Sequence, residues 1–400
     1  MAAKSHRGSG NPFEFGQAVH ADSIVDREEE LRRLKDAVRN GERLFLIGPR
    51  RFGKTSLLNV VQQQLEREGV VVLKYDVEKF ESAELLARAL LAGAVRALAG
   101  PSEKIGAVVI RQLKRFFGAL KPEVTYDVMH QSISVSLGVT KGNKDSDLPL
   151  LTDVLDGIEA MARAGEKRVA VVLDEFQQLV AAGGVAAERQ IRAAVQTHRH
   201  VSYIFAGSKT RLLTDMTSQH GRPFYRMGSS LFLGTVPRSA FIAFIRDGFE
   251  RHGFKVAAGA VEHLLDLVED VPYSVQRLAH RCWDLLCAGG PGAQGALTSA
   301  FVERALERIA LEEDPAYTQL WMSLTEVQKK ALKAVIGSGG RLLLSKAVTT
   351  EHSLSAASMQ KALKALNDRG IIREEQSLGD ARLRLDDPFL ATWLKAAQAT

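Results

Sequence analysis

Apolar positions along the chain change period several times, and each change marks an element. Asp26 to Asn40 sets Leu31, Leu34 and Val38 at helical spacing among charges, with Gly41 placed to end the helix. Arg43 to Ile47 is a short apolar run stopped by Gly48, and a glycine-containing loop then leads into a helical pattern from Lys54 to Glu68. Val70 to Asp76 predicts a second strand and Glu84 to Ala99 a second helix, the alternation of a parallel sheet covered on both faces. Between 101 and 149 the alternation breaks: a helical piece with Phe116 and Phe117 precedes two runs, 123–127 and 132–137, that predict a hairpin. This stretch is expected to be an insertion, with loop composition over 138–147. The alternation resumes with a helix over 150–164, a strand over 168–173, a helix over 186–198 and strands over 201–206 and 230–233, which supplies five core strands.

Beyond Pro237 helical patterns dominate, at 238–253, 259–268, 273–286 and 298–312. From Ser323 the pattern is three helices, 326–336, about 345–350 and 355–368, followed by short runs at 371–374 and 382–385, which predicts a winged helix-turn-helix. The expected division is a lead-in (1–24), an α/β core (25–237) with its insertion (about 101–149), a helical lid (238–322) and a winged helix (323–400). No internal repeat is evident.

Composition narrows the class. With 400 residues, 46% hydrophobic and 25% charged, the chain is an ordinary globular protein rather than a disordered or collagen-like one. Its net charge of +6 permits nucleic acid without demanding it, but the last eighty residues hold 12 Lys and Arg against 8 Asp and Glu, so much of the excess is local. Cys282 and Cys287 are too few for a disulfide framework or a zinc knuckle and read as packing residues in a helix. The most apolar stretch, Leu85 to Ala99, is broken by Arg88 and Arg96, and the first twenty residues lack the apolar centre of a signal peptide. These features predict a soluble cytoplasmic protein with a loose lead-in and no membrane contact.

The strongest chemical signal is Gly48-Pro49-Arg50-Arg51-Phe52-Gly53-Lys54-Thr55-Ser56, which matches G-x-x-x-x-G-K-[ST] between a strand and a helix. The glycines let consecutive backbone N–H groups face phosphate oxygens, and the helix that starts at Lys54 adds its positive end. Lys54 is expected at the β- and γ-phosphates and Thr55 on Mg²⁺. Five apolar residues then deliver Asp174 and Glu175 to the carboxyl edge of the sheet, where ligands bind. Asp174 is expected to hold Mg²⁺ and Glu175 to orient and deprotonate the attacking water. Asn143-Lys144-Asp145-Ser146 lacks the last aspartate of a guanine-recognition motif and precedes the Asp174 strand, so the expected nucleotide is ATP.

Other residues carry weaker signals. Ser208 ends a strand where a polar group can contact the γ-phosphate or the water, or serve only as a turn residue. Arg222 and Arg226 flank a loop before the last strand, and either can serve as an arginine finger or sensor, or simply lie on the surface. His198, His200 and His220 have no carboxylate at ligand spacing and read as loop residues, while 268–273 reads as a turn able to act as a lid or to pack. On the winged helix, Lys361 and Lys364 lie three apart on the second helix of the turn and Arg382 and Arg384 on the wing, so all four are candidates for phosphates and base edges. The alternative is that the module docks against protein.

The layout resembles the archaeal-type ATPase-like group of STAND P-loop NTPases, relatives of the AAA+ ATPases. Asn11-Pro12-Phe13, Asp26 to Leu31, the Walker A at Gly48 to Thr55, the Walker B at Leu173 to Phe176, Gly207-Ser208, Arg222 to Tyr225, Pro272-Tyr273 and Asp387-Pro388-Phe389 with Trp393-Leu394 carry that resemblance across nearly the whole chain. It implies an α/β P-loop fold with a five-stranded parallel sheet in the order 5-1-4-3-2, a helical lid, a C-terminal winged helix and a nucleotide-driven switch that often self-associates. Three functions are compatible: a slow Mg-dependent ATPase acting as a molecular switch in signalling or DNA-associated regulation, a DNA-binding regulator or origin-recognition-like protein that senses ATP, and a scaffold that assembles on ATP with itself or a protein partner.

Overall fold

A computed structural model of the chain describes residues 10–16, 24–99, 122–127, 132–137, 148–208, 210–289, 295–377 and 380–399. They form two compact units, one of Arg27–Gly234 and one that joins the segment up to Asp26 with everything from Thr235 onward. Among the described residues no helix is long and apolar enough to cross a membrane.

The first unit runs α1 (Glu28–Arg39), β1 (Arg43–Ile47), α2 (Lys54–Arg67), β2 (Val71–Asp76), α3 (Ala83–Ala99), β3 (Pro122–Asp127), β4 (Ser132–Leu137), α4 (Leu148–Ala164), β5 (Val169–Asp174), α5 (Gln177–Val195), β6 (Val201–Gly207), α6 (Thr210–Ser218) and β7 (Ser229–Phe232). Five of the strands make one parallel sheet in the order β2-β5-β6-β1-β7, the predicted order read from the opposite edge. Every residue of β5 and β6 is buried, as expected of central strands covered on both faces. Phe45, Ile47, Val171, Leu173, Tyr203 and Phe205 share a core with α3, α4 and α5. The alternate residues Leu44, Leu46, Val172 and Ile204 are buried on the other face, the side of α1 and α2.

The insertion keeps its predicted hairpin: β3 and β4 pair antiparallel, with Val124 opposite Val135. The expected helix around Phe116 and Phe117 and the expected loop over 138–147 lie outside the described residues. One boundary moves. α5 starts at Gln177 rather than at 186, because the helix begins directly after the Walker B turn and runs across a break at Gly184 (φ 58°, ψ −155°), where the glycine pair masks the first turns.

The second unit contains α7 (Arg238–Glu250), β8 (Lys255–Val256), α8 (Ala260–Leu267), α9 (Pro272–Cys287), β9 (Ala296–Leu297), α10 (Ser299–Glu312), α11 (Asp314–Met322), α12 (Glu326–Ser338), α13 (Lys346–Glu351), α14 (Ala356–Asp368), β10 (Ile372–Ser377), β11 (Asp380–Leu385) and α15 (Phe389–Ala399). The short parallel pair β8–β9 joins the helices that the sequence predicts to dominate this stretch. α12, α14 and the β10–β11 hairpin pack as the expected winged helix, in one continuous core with the helical part. Two unpredicted helices make that join: Trp393 Nε1 on α15 donates to Asp314 Oδ1 on α11 at 2.7 Å, and the Tyr317 hydroxyl donates to Asp387 Oδ2 at 3.2 Å. Gly340 (φ 77°) lets the backbone meet the wing, since a Cβ there would lie 1.7 Å from Leu383 O.

The lead-in is not loose throughout. Phe13 is 0% exposed and packs against Phe244, Phe249 and Trp283 of α7 and α9. Asn11 Nδ2 donates to His280 O at 3.1 Å and to Asp284 Oδ1 at 3.0 Å, which pins the segment across α9. Aromatic burial wins over a polar, unpatterned flank here. Phe13→Ala should therefore destabilise the protein by about 3–5 kcal/mol, read as a loss of denaturation midpoint; an unchanged midpoint would mean that the segment contributes nothing to the fold.

Candidate nucleotide site

The phosphate loop is built by backbone geometry. It leaves β1 beside β6, where Ile47 faces Gly207, and Gly48 approaches so closely that a Cβ there would lie 2.7 Å from Leu233 O. Arg51 (φ 67°) and Gly53 (φ 87°) are both left-handed, and Gly53 caps α2. Alternation of such residues with ordinary ones turns successive N–H groups toward one concavity. Phe52 is buried and anchors the loop, Ser56 is buried in the first turn of the helix, and Arg50 is exposed with Glu78 3.9 Å away. Lys54 is buried, and its ammonium donates to Gly48 O at 2.8 Å and to Pro49 O at 2.9 Å, inside the arch of the loop.

Opposite the loop, Thr55 Oγ1 donates to Asp174 Oδ2 at 2.8 Å, and Asp174 Oδ1 accepts from the Glu175 N–H at 3.0 Å. Burial pushes the Asp174 carboxyl above its ordinary range, against the pull of the Thr55 hydrogen bond and the Lys54 charge. Hydroxyl and carboxylate oxygens are the hard donors that suit Mg²⁺. Lys74 on β2 donates to Asn59 and lies in the field of Asp174, with burial lowering its ammonium pKa.

Glu175 takes a left-handed backbone (φ 52°) between two fixed neighbours, since Phe176 N donates to Ala206 O at 2.9 Å and resumes the ladder with β6. Its Oε2 accepts from Ser208 Oγ at 2.8 Å and from Gln177 Nε2. The expected polar group at the end of β6 therefore meets the acidic residue directly.

The loop before β7 separates the two arginines. Arg222 is paired through Nε (3.2 Å) and Nη2 with the carboxylate of Glu188, which is itself 0% exposed, so this guanidinium is tied to the core. Phe224 is buried against Phe45, Phe176 and Phe205. Arg226 (φ 53°) is exposed beside the Tyr225 ring. His198 lies in a loop, as expected, but is buried there between Asp156 and Tyr203, at the end of the sheet remote from the phosphate loop, and His200 pairs there with Glu159.

The family model described as an ATPase domain predominantly from Archaea matches residues 24–252. The chain belongs to that family. A second model, described as "Probable winged helix domain", matches 315–396. Among solved structures, the Walker-type ATPase of Pyrococcus abyssi is similar over 96% of this chain and 99% of its own, at 19% identity and a TM-score of 0.61, which establishes a shared fold. The ORC1 protein of Aeropyrum pernix, solved in complex with DNA, is similar over 96% of both chains at 14% identity and a TM-score of 0.49. No curated protein is similar enough to match. The chain thus carries an archaeal-type ATPase domain with a phosphate loop, followed by a winged helix.

On the winged helix that accompanies this archaeal-type ATPase domain, Lys361 and Lys364 are exposed on α14. The wing differs. Arg382 pairs with Glu375, and Arg384 donates to Glu375 Oε2 at 3.2 Å and to Glu269 Oε1 at 2.7 Å. Glu269 belongs to the turn after α8, so that turn packs on the wing. Burial raises the Glu375 carboxyl, but the hydrogen bonds from Arg382 and Arg384 outweigh it and leave the pKa below the ordinary range.

The sequence alone does not single out Gln177, Glu188 or Lys74, whereas the turn that carries Glu269 takes the packing alternative expected of it. A glutamine two residues after an acidic pair was a usable signal for the first; Glu188 and Lys74 depend on partners brought near only by folding. The electrostatics of Asp174 carry a sign. Its folded-state pKa lies above the unfolded value, so its contribution to stability is complete below the unfolded carboxylate range and is lost as pH rises through the raised pKa. Asp174→Asn should therefore raise the melting temperature at pH 7, without added nucleotide or Mg²⁺, and the gain should shrink as the pH falls through the carboxylate range; a loss of stability at pH 7 would refute the assignment.

Proposed function

We propose that the protein is a Mg²⁺-dependent ATPase of slow turnover whose nucleotide state acts as a switch. The observation that carries this reading is the 2.8 Å hydrogen bond between Thr55 and Asp174, which brings together two oxygen donors of the kind a divalent cation takes, beside the phosphate loop. Gly48 to Ser56 would supply the N–H groups for the phosphates. Lys54 would exchange its contacts with Gly48 O and Pro49 O for β- and γ-phosphate oxygens, at little cost because its charge is already desolvated. Thr55 and Asp174 would hold Mg²⁺, which screens phosphate charge when bound. Glu175 would take the proton of the attacking water as its oxygen bonds to the γ-phosphorus and the bridging oxygen leaves with ADP. Ser208 would reach the same water or the γ-phosphate from its place beside Glu175. Of the two arginines, Arg226 is the better candidate for a finger or sensor, since it is exposed, whereas Arg222 already neutralises Glu188.

A second reading, nucleic-acid binding, is favoured by the exposed lysines of α14. It assigns phosphate contact to Lys361 and Lys364 and withholds it from Arg382 and Arg384, whose guanidiniums face carboxylates. An origin-recognition-like or other DNA-associated role would follow from that contact, and self-association is a further property the switch reading allows.

Two expected outcomes test these readings. Lys54→Ala should abolish ATP binding, while Glu175→Gln should keep binding and lose roughly 10²–10⁴-fold in turnover, as removal of a general base does; undiminished hydrolysis in the second variant would refute the role of Glu175. Duplex DNA should bind with a steep salt dependence, and Lys361→Ala with Lys364→Ala should weaken it and flatten the salt slope by about 2. Absence of binding at low salt, with and without ATP, would remove the nucleic-acid reading.

A further inference from the structure

Gln177 is 1% exposed at the first position of α5, two residues beyond Glu175. Its Nε2 donates to Glu175 Oε2, the oxygen that also accepts from Ser208 Oγ, and lies 3.4 Å from that hydroxyl. Its other end is unusual: Oε1 is buried and has no hydrogen-bond partner among the described residues. A buried acceptor left without a donor costs stability. Packing alone does not ask for an amide here, because methionine would fill the same slender volume without the orphaned oxygen. What the amide adds over methionine is the N–H contact to Glu175. Turning the amide over would not relieve the cost, since it would point oxygen at carboxylate. The strand beside it is cut back to suit: a Cβ on Gly207 would lie 2.0 Å from Gln177 Oε1 and 2.6 Å from Leu213 Cδ1.

We propose that Gln177 is a positioning residue that acts through Glu175. Together with Ser208 it saturates Oε2, fixes the plane of the carboxylate and leaves Oε1 to meet the attacking water. Glu175 sits on a left-handed backbone at the end of a strand, with a side chain of three rotatable bonds, so two donors on one oxygen are what hold it to a single rotamer. The proposal rests on the ATPase reading for its kinetic consequence and on geometry alone for the restraint.

The test is Gln177→Met in the full chain. The melting temperature should stay the same or rise, because the orphaned oxygen goes and the volume stays. The KM for ATP should change by less than about twofold while kcat falls roughly 10- to 100-fold, the scale of a misplaced catalytic group. Gln177→Asn, one methylene too short to reach, should lose kcat as well. A separate measurement does not need turnover: the ¹³C signal of the Glu175 side-chain carboxyl, assigned by its loss in Glu175→Gln, should move in Gln177→Met. Wild-type kcat in Gln177→Met, an unmoved carboxyl signal, or loss of the folded state in that variant would each overturn the proposal, the last by showing that the amide serves packing. If the wild-type protein hydrolyses no ATP, the ATPase reading fails on its own, and the carboxyl signal still decides whether Gln177 restrains Glu175.

Discussion

The hydrogen bond from Thr55 to Asp174 is the constraint around which the first unit is organised. It joins residues 119 apart in sequence, and it forms only if the ends of β1 and β5 reach the same edge at the same height. The strand order achieves this with β6 between them: Ile47 faces Gly207 on one side, and Leu173 faces Phe205 on the other. Ser208 then follows β6 into the gap, which is why its hydroxyl finds Glu175 rather than solvent. A single crossover order thus brings three remote segments to one place.

Beneath that edge lies an aromatic floor. Phe176 packs on Phe205 with ring centroids 4.5 Å apart and on Phe224 at 5.8 Å, while Phe45 closes the group from β1. Large rigid rings of this kind fix the backbone above them. Their placement explains how Glu175 can hold a left-handed conformation: the residue before it is hydrogen-bonded in the site, and the residue after it is locked in the core. Strain of this kind persists only where the surroundings over-determine it. The same floor anchors Phe224, so the loop bearing Arg222 and Arg226 is attached to the platform that carries Asp174 and Glu175.

What the sequence made legible was whatever repeats a local rule. Five strands, the phosphate loop, the acidic pair and the winged helix follow from period, glycine placement or motif, and the strand order from the resemblance alone. The failures share a cause too. Phe13 and Phe15 are two aromatics in an otherwise polar flank with no periodic pattern, and α11 and α15 are short helices whose aromatic residues Tyr317 and Trp393 show their purpose only when Asp387 and Asp314 stand opposite. Arg222 looked available because its partner Glu188 lies 34 residues away in sequence, on a helix face that gave no sign of being buried. Long-range pairing is information about the fold, and no window along the chain contains it.

Charge in the second unit shows the same limit with a different result. The basic excess of the last eighty residues makes the wing arginines Arg382 and Arg384 candidates for phosphate contact, yet they and Arg373 converge on Glu375 and on Glu269. Glu269 and Asp270 are consecutive left-handed residues, and Asp270 in turn pairs with Arg238 at 3.1 Å. Arg373 is buried deeply enough that desolvation lowers its pKa, which makes the carboxylates around it necessary rather than decorative. An acidic turn from the helical part therefore neutralises the wing, and two bent residues are tolerated because they complete that ion cluster. Subtracting those pairs takes the wing arginines out of the field and leaves it to the exposed lysines of the helices, Lys330 on α12, Lys346 on α13 and Lys361 and Lys364 on α14, a distribution set by packing instead of by composition.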